Sequence, residues 1–318
     1  MRPGARLAAA AAVAMLACRA SLVDPPRPIL ALGSSGSAPG ELSRPTGVAV
    51  SADGEVFVAD TGNDRVQVFG GDGSFLRTFG RSGDAPGEFR RPMDLDLDAQ
   101  GRVYVAELVG NRIQIFSTSG RWLRTIRGEG TAAGPFDGAA GVWVAPAGDV
   151  YVADFYNDRI VRFSSDGSFR GVIGRPGRLL PGRLHYPTDL DALGETLVVG
   201  DAYNHRVQGF SMGGETEWRL GGPLGLGIPG SRSGWFRVAT GVATDTGENL
   251  YVADFQNHRI QVFDRERRRL TLFGRRGSEL GAFERPTDLA IGPDGRIYVV
   301  DFGNDRIQVF TPLGAPPR

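Results

Sequence analysis

The sequence predicts an all-β fold: a six-bladed β-propeller with four antiparallel strands per blade, its last blade closed by the N-terminal strand. Three observations carry this. One motif recurs along the chain, as "VADTGNDRVQVF" ending at Phe69, "VAELVGNRIQIF" at Phe116, "VADFYNDRIVRF" at Phe163, "VGDAYNHRVQGF" at Phe210, "VADFQNHRIQVF" at Phe263 and "VVDFGNDRIQVF" at Phe310. Its acidic residue falls at Asp60, Glu107, Asp154, Asp201, Asp254 and Asp301, in steps of 47, 47, 47, 53 and 47. A period in the forties marks units that bury their faces on one another. Within each period, four short β-branched or aromatic runs are separated by Gly, Asp and Asn turns, which predicts four strands joined by hairpins. The two ends are also complementary. The last unit stops after "RIQVF", while "RPILALG" at Arg27–Gly33 matches the outer-strand run "SFLRTFG".

The first element is a leader over residues 1–18. Two Arg precede an apolar, alanine-rich run from Leu7 to Ala17, and Cys18, the only cysteine of the chain, follows. The run has the length of a signal-peptide core rather than the roughly 20 residues of a membrane span. "MLAC" at Met15–Cys18 resembles a bacterial lipobox, which implies a lipidated Cys18 as the mature N-terminus; ordinary signal cleavage nearby, for example after Ala20, is the alternative. Residues 19–27, with Pro25 and Pro26, form a short tether. The expected location is the bacterial cell envelope, with membrane contact only through the anchor. With no second cysteine there is no intramolecular disulfide, so packing and strand closure must hold the domain.

The remaining elements, over 28–318, form one propeller. After "RPTGVAV" at Arg44–Val50 come the turn "SADGE", the strand "VFVAD", the Asn-bearing turn, "RVQVF", the turn "GGDGS" and "FLRTFG". No run has helical spacing. The inner runs are apolar on both faces, as a sheet sandwiched between neighbouring blades requires. The unit resembles the NHL repeat, whose name comes from Asn, His and Leu in this turn and the strand after it. "NHR" occurs at Asn204–Arg206 and Asn257–Arg259, and the other turns carry "NDR" or "GNR". The resemblance implies a six-bladed propeller and, by itself, no activity.

Antiparallel order places all six Asn-bearing turns and all interblade connections on one face, here called the top. The six extra residues of the 53-residue step fall near Gly221–Phe236, on that face. Loops that vary on a rigid scaffold are where binding sites usually sit. The repeated cluster is expected to be structural: Asp60, Asp154, Asp201, Asp254 and Asp301, with Glu107 in blade 2, accept backbone N–H bonds or pair with Arg65, Arg159, Arg206, Arg259 and Arg306.

Three departures from the repeat bear on function. At the start of the first strand of each unit, Gly47, Asp94, Gly141, Asp189, Gly241 and Asp288 alternate. Three carboxylates at the channel mouth would suit a hard cation such as calcium; capping of backbone within the blade is the alternative. The three histidines, His185, His205 and His258, map to the top. His185, near the start of one of these strands, joins Asp94, Asp189 and Asp288 as a candidate metal ligand, whereas His205 and His258 occupy the repeat's own variable position. Zinc is the second metal considered, because related six-bladed propellers include an amidating lyase with zinc-bound histidines. Finally, Phe155, Tyr156, Tyr203, Trp235 and Phe255 are candidates for an apolar ligand-binding patch, with packing under neighbouring loops as the alternative. Phe89, Phe136, Phe236 and Phe283 recur at one repeat position and are assigned to interblade packing.

The 36 basic and 36 acidic residues give a neutral chain, without the basic footprint of a nucleic-acid binder. The one basic run, Arg265–Arg269, reads as a solvated turn, and there is no Cys/His zinc framework. Nucleophile-elbow, zincin and phosphate-loop motifs are absent. No catalytic residue or cofactor is assigned. The function expected is binding or scaffolding, through the top face, of an envelope protein, peptide or glycan. A metal-assisted lyase or hydrolase at the top mouth of the channel is the alternative from a different class, and support of a larger envelope assembly a third.

Overall fold

Six four-stranded antiparallel sheets surround a central channel, as the sequence predicts. In the computed structural model, residues 23–316 are described; the leader, Cys18 and the first residues of the tether lie outside them. Blade 1 runs Gly47–Val50, Val56–Asp60, Arg65–Phe69 and Phe75–Phe79 from channel to rim. The inner strands of blades 2 to 6 are Pro92–Leu97, Ala139–Val144, Pro187–Leu193, Ala239–Thr244 and Pro286–Ile291. Each turn after the second strand is a tight loop in which the residue before Arg takes left-handed φ, 49° at Asn111 to 55° at His258. Asp, Asn and His tolerate that region better than other side chains, which accounts for the residues found there.

The ring closes as its ends suggest. Pro28–Leu32 forms the rim strand of blade 6, antiparallel to Arg306–Phe310, with Leu32 opposite Ile307. Leu32 is buried in the seam with Leu42, Val48, Val56 and Tyr298. One difference from expectation concerns the tether. Arg27 is already docked, its N–H on Thr311 Oγ1 and its carbonyl accepting from the Thr311 N–H. Both ends of the described chain therefore lie on the bottom face, opposite the Asn-bearing turns.

Six buried clusters make up the core, one at each blade interface. Phe89, Phe136, Phe236 and Phe283 are each at most 3% exposed and belong to these clusters, so their repeat position is indeed packing. With blades contacting only their neighbours, stability is close to a sum of interface terms. The Arg265–Arg269 run sits in a turn on the bottom face, where Arg265 and Arg268 pair with Glu266 and Arg267 lies over the Trp218 ring.

Candidate functional site

The recurring turn is a hub that fastens each interblade loop to its blade. In blade 1, Asp60 is fully buried and its two oxygens accept from Ser43 N–H at 2.7 Å, Asn63 Nδ2, Arg65 Nε at 2.7 Å and Gln67 Nε2 at 3.0 Å. Arg65 and Asn63 then reach back to carbonyls of the incoming loop, Ala38, Glu41 and Gly36. The same pairing joins Asp154 to Arg159, Asp201 to Arg206, Asp254 to Arg259 and Asp301 to Arg306. Sequence reasoning missed the glutamines Gln67, Gln114, Gln208, Gln261 and Gln308, which serve the same carboxylates. Their recurrence two residues after the Arg in five of the six blades, with Val161 in blade 3, was the available signal.

Blade 2 departs from this pattern in two coupled places. Glu107 replaces Asp, and Gly110 replaces the Asn. The longer side chain brings its carboxylate into the space that Asn fills elsewhere, since a Cβ at Gly110 would lie 2.5 Å from Glu107 Oε2. Arg112 Nε, Arg90 N–H and Gln114 Nε2 still reach it at 2.5, 2.7 and 2.8 Å.

The residue after Asn carries a second, interblade role. Asp64, Asn111, Asp158, His205, His258 and Asp305 each accept a backbone N–H from the following blade's loop, at Arg91, Gly138, Tyr186, Val238, Arg285 and Arg44. His205 and His258 do this through Nδ1 at 3.1 Å, which places their ring proton on Nε2. Burial pushes the His205 pKa below its usual value. The repeat thus accepts His, Asp or Asn because each offers one acceptor at that spot.

Gly and Asp alternate around the channel because they interlock. Asp94, Asp189 and Asp288 each accept the N–H of the next blade's inner strand, Val142, Val242 and Val48, at 2.7–2.9 Å. Asp189 and Asp288 also take the N–H of their own following residue at 2.7 Å. The caps expected within one blade therefore also staple neighbouring blades. The glycines let the preceding blade press against those strands, since a Cβ at Gly47 or Gly241 would lie 2.7 or 2.6 Å from the Cα of Asp94 or Asp288. Two further carboxylates lie below them in the channel: Asp96 and Asp191 bond to Val144 and Thr244 N–H. Burial raises all five carboxyls, Asp96 and Asp189 to about 7 and Asp191 to about 6, with charge repulsion adding at Asp94 and Asp288.

Above this ring opens a well of about 320 Å³. Its floor is Asp94, Asp189 and Asp288, and one wall is aromatic. Phe155 stacks on Tyr186 with centroids 4.6 Å apart and planes 9° from parallel, and His185 covers the other face of Tyr186 at 4.4 Å. Tyr156 and Tyr203 stand edge-on to Tyr186 at 5.7 and 5.1 Å, each 51% exposed. Three of the five expected ligand-face residues, Phe155, Tyr156 and Tyr203, thus converge with Tyr186, which sequence reasoning missed. Tyr186 ends an interblade loop at a position that is Arg, Gly or Val in the other blades, and that substitution was its only signal.

The other two residues are elsewhere. Trp235 packs over Gly230 and beneath Arg232, and Phe255 pairs with Phe302 at 6.4 Å; neither lines the well. His185 points to the Tyr186 stack, 3.5 Å from Asp158 and 3.3 Å from Arg178, and is not among the well's lining residues. Among the described residues, no group of three or more His, Cys, Asp or Glu is arranged to hold a metal ion.

Comparison with known proteins agrees with this architecture. The NHL repeat model matches residues 42–69, 236–263 and 283–310. Over 49 residues the chain is 53% identical to Protein lin-41 of Caenorhabditis elegans, and over 48 residues 50% identical to the E3 ubiquitin-protein ligase TRIM71 of Rattus norvegicus. Each match covers 15% of this chain and only 4% and 6% of those proteins. Virginiamycin B lyase from Staphylococcus aureus superposes with a TM-score of 0.60 at 16% identity, over 89% of this chain and 98% of the lyase. A protein of unknown function from Bacteroides thetaiotaomicron superposes with a TM-score of 0.66 at 16% identity, over 88% and 72%. At such identities the likeness is one of fold. The three NHL matches fall on blades 1, 5 and 6 of the six-bladed ring.

Proposed function

We propose that this chain is a binding propeller that engages an envelope protein, peptide or glycan in the well at the top mouth of its channel. The observation that carries the reading is the convergence of Phe155, Tyr156, Tyr186 and Tyr203 above three buried carboxylates. Concave, mostly apolar cavities of this size with a few convergent polar groups are the usual form of ligand sites. Half-exposed tyrosines supply rigid contact area at small entropic cost. Export and attachment through Cys18 belong to the same proposal. A chain tethered at its N-terminus leaves from the bottom face, so the well would open away from the membrane.

A thermal-shift screen of peptides and oligosaccharides against wild type and a Tyr156→Ala/Tyr203→Ala variant tests the site. Hits should stabilise the wild type and lose most of that effect in the variant; ligands that shift both equally would refute it. Mass analysis of the chain from membrane fractions, with Cys18→Ala as control, tests the anchor.

A second reading has a specific observation in its favour. The streptogramin B lyases are enzymes on this ring, and carboxyls held near neutral pKa suit general acid–base work. It supports a lyase or hydrolase at the same mouth. His205 and His258 would not serve it as free bases, because their Nδ1 atoms hold the blades together. Turnover that survives Asp189→Asn and Asp288→Asn in folded protein would remove this reading.

A further inference from the structure

The chemistry of the floor narrows what the well can take. Asp94, Asp189 and Asp288 come from blades 2, 4 and 6, so they surround the channel axis with approximate threefold symmetry. One oxygen of each takes the backbone N–H of Val142, Val242 or Val48, and once ionised the three carboxylates offer the well acceptors and no donors. Among the described residues, none of the three is in an ion pair with Arg or His. The set does not close on a single metal ion. It suits a cation that brings its own hydrogen-bond donors.

A separate observation also points to a missing donor or acceptor. Four threonines, Thr46, Thr188, Thr240 and Thr287, line the well one residue before the Gly/Asp position. Thr46 and Thr188 donate to carbonyls of the following blade, Met93 at 2.5 Å and Thr240 at 2.8 Å, and Thr240 lies 3.5 Å from the Pro286 carbonyl. Thr287 Oγ1 is buried without a hydrogen-bond partner. Buried polar groups are rarely left this way, because an unmade hydrogen bond costs the full desolvation of the group.

Resting on the proposed well, we infer that its ligand is a protonated primary amine on an unbranched carbon stem, as in a lysine side chain or a free alkyl diamine. The ammonium sits among Asp94, Asp189, Asp288 and Thr287, whose oxygens accept its three N–H bonds, and the stem lies against Tyr156, Tyr186 and Tyr203. Charge-assisted bonds to carboxylate are the strong class of hydrogen bond, and aromatic rings attract cations. Arg91, exposed, also lines the well.

Proton linkage gives the inference a signature. Burial and mutual repulsion raise the carboxyls of the empty floor, so it holds protons. An arriving ammonium must displace such protons. The groups that bear on this titration are the three floor carboxyls, Asp96 and Asp191 beneath them, and Arg91 beside the well.

The test is calorimetric titration of the full chain with n-pentylamine, cadaverine and an acetyl-Gly-Lys-Gly amide peptide at pH 5.5 and 8. Pentanol and the Nε-acetylated peptide serve as neutral controls. The amines should bind at pH 8 with proton release, and about tenfold more weakly at pH 5.5. Asp288→Asn and Thr287→Val should each weaken binding by a similar factor, and Tyr203→Ala tests the stem if the Asn variant fails to fold. Tighter binding of the peptide would identify a lysine side chain as the source; tighter binding of the free amines would identify a small molecule. Neutral controls that bind as well as the amines would overturn the inference, as would pH-independent affinity or binding unchanged in folded Asp288→Asn. A screened ligand that depends on Tyr203 but is not displaced by amine would sink the ammonium and leave the well standing. A ligand indifferent to Tyr156 and Tyr203 would sink the well itself.

Discussion

Exchanging the blade 2 lock for the form used in the other five blades tests whether Glu107 and Gly110 form one unit. Glu107→Asp alone withdraws the carboxylate by one methylene, about 1.5 Å. Its 2.5 Å bond from Arg112 Nε would lengthen to roughly 4 Å, beyond hydrogen-bond range. Arg112 is 3% exposed but keeps the carbonyls of Asp84 and Glu88. The cost should therefore fall below the 3–5 kcal/mol of a fully broken buried pair, at about 2 kcal/mol. Gly110→Asn alone places a Cβ 2.5 Å from Glu107 Oε2 and 2.9 Å from its Cδ, an overlap worth about 2–3 kcal/mol. The double variant recreates the Asp/Asn pair seen at Asp60 and Asn63 and should return to within about 1 kcal/mol of wild type. In a domain this large 1 kcal/mol moves Tm by about 2 °C. Each single variant should then melt about 4–6 °C low in scanning calorimetry, and the pair within about 2 °C of wild type. Single losses that simply add, to within about 0.5 kcal/mol, would refute the coupling.

Three other outcomes follow from the same contacts. Gly141→Ala puts a Cβ 2.3 Å from the Thr188 carbonyl oxygen and should lower Tm by several degrees. Gly171→Ala, with nothing within 4 Å, should leave it unchanged or slightly raised; equal losses would disprove the close approach of neighbouring inner strands. Asp96 and Asp191 have folded pKa values of about 7 and 6, above the ordinary carboxylate value. Their contribution to stability is therefore complete below about pH 4 and lost as pH rises through 6 to 7. The Tm advantage of wild type over Asp96→Asn/Asp191→Asn should thus shrink between pH 5 and pH 8, and an advantage that grows instead would reverse the assigned burial effect. Removal of residues 1–33 takes away the rim strand of blade 6 and exposes the edge of Arg306–Phe310, so size-exclusion chromatography should show association or aggregation. A monomer with wild-type Tm would refute closure by the N-terminal strand.

The sequence by itself determined the number of blades, the four strands of each, the closing strand and the Asp–Arg lock, because each is written inside one repeat period and copied around the ring. Strand alternation and turn chemistry are local, and six copies make them unmistakable. It also showed that Gly and Asp alternate, but not why: the N–H that each Asp accepts belongs to the next blade, 48 or more residues distant in the chain or across the closure. The well was decided by the tertiary structure alone. Phe155 and Tyr156 come from the turn of blade 3, Tyr186 and Tyr203 from a loop and a turn of blade 4, and they meet because adjacent blades stand side by side at the mouth. Trp235 and Phe255 look equivalent in the sequence, yet a longer loop turns one onto Gly230 and the other rests on Phe302. Repetition fixes where a residue sits on its own blade. Which side chains touch depends on loop path and on the neighbouring blade, and neither is encoded within the repeat.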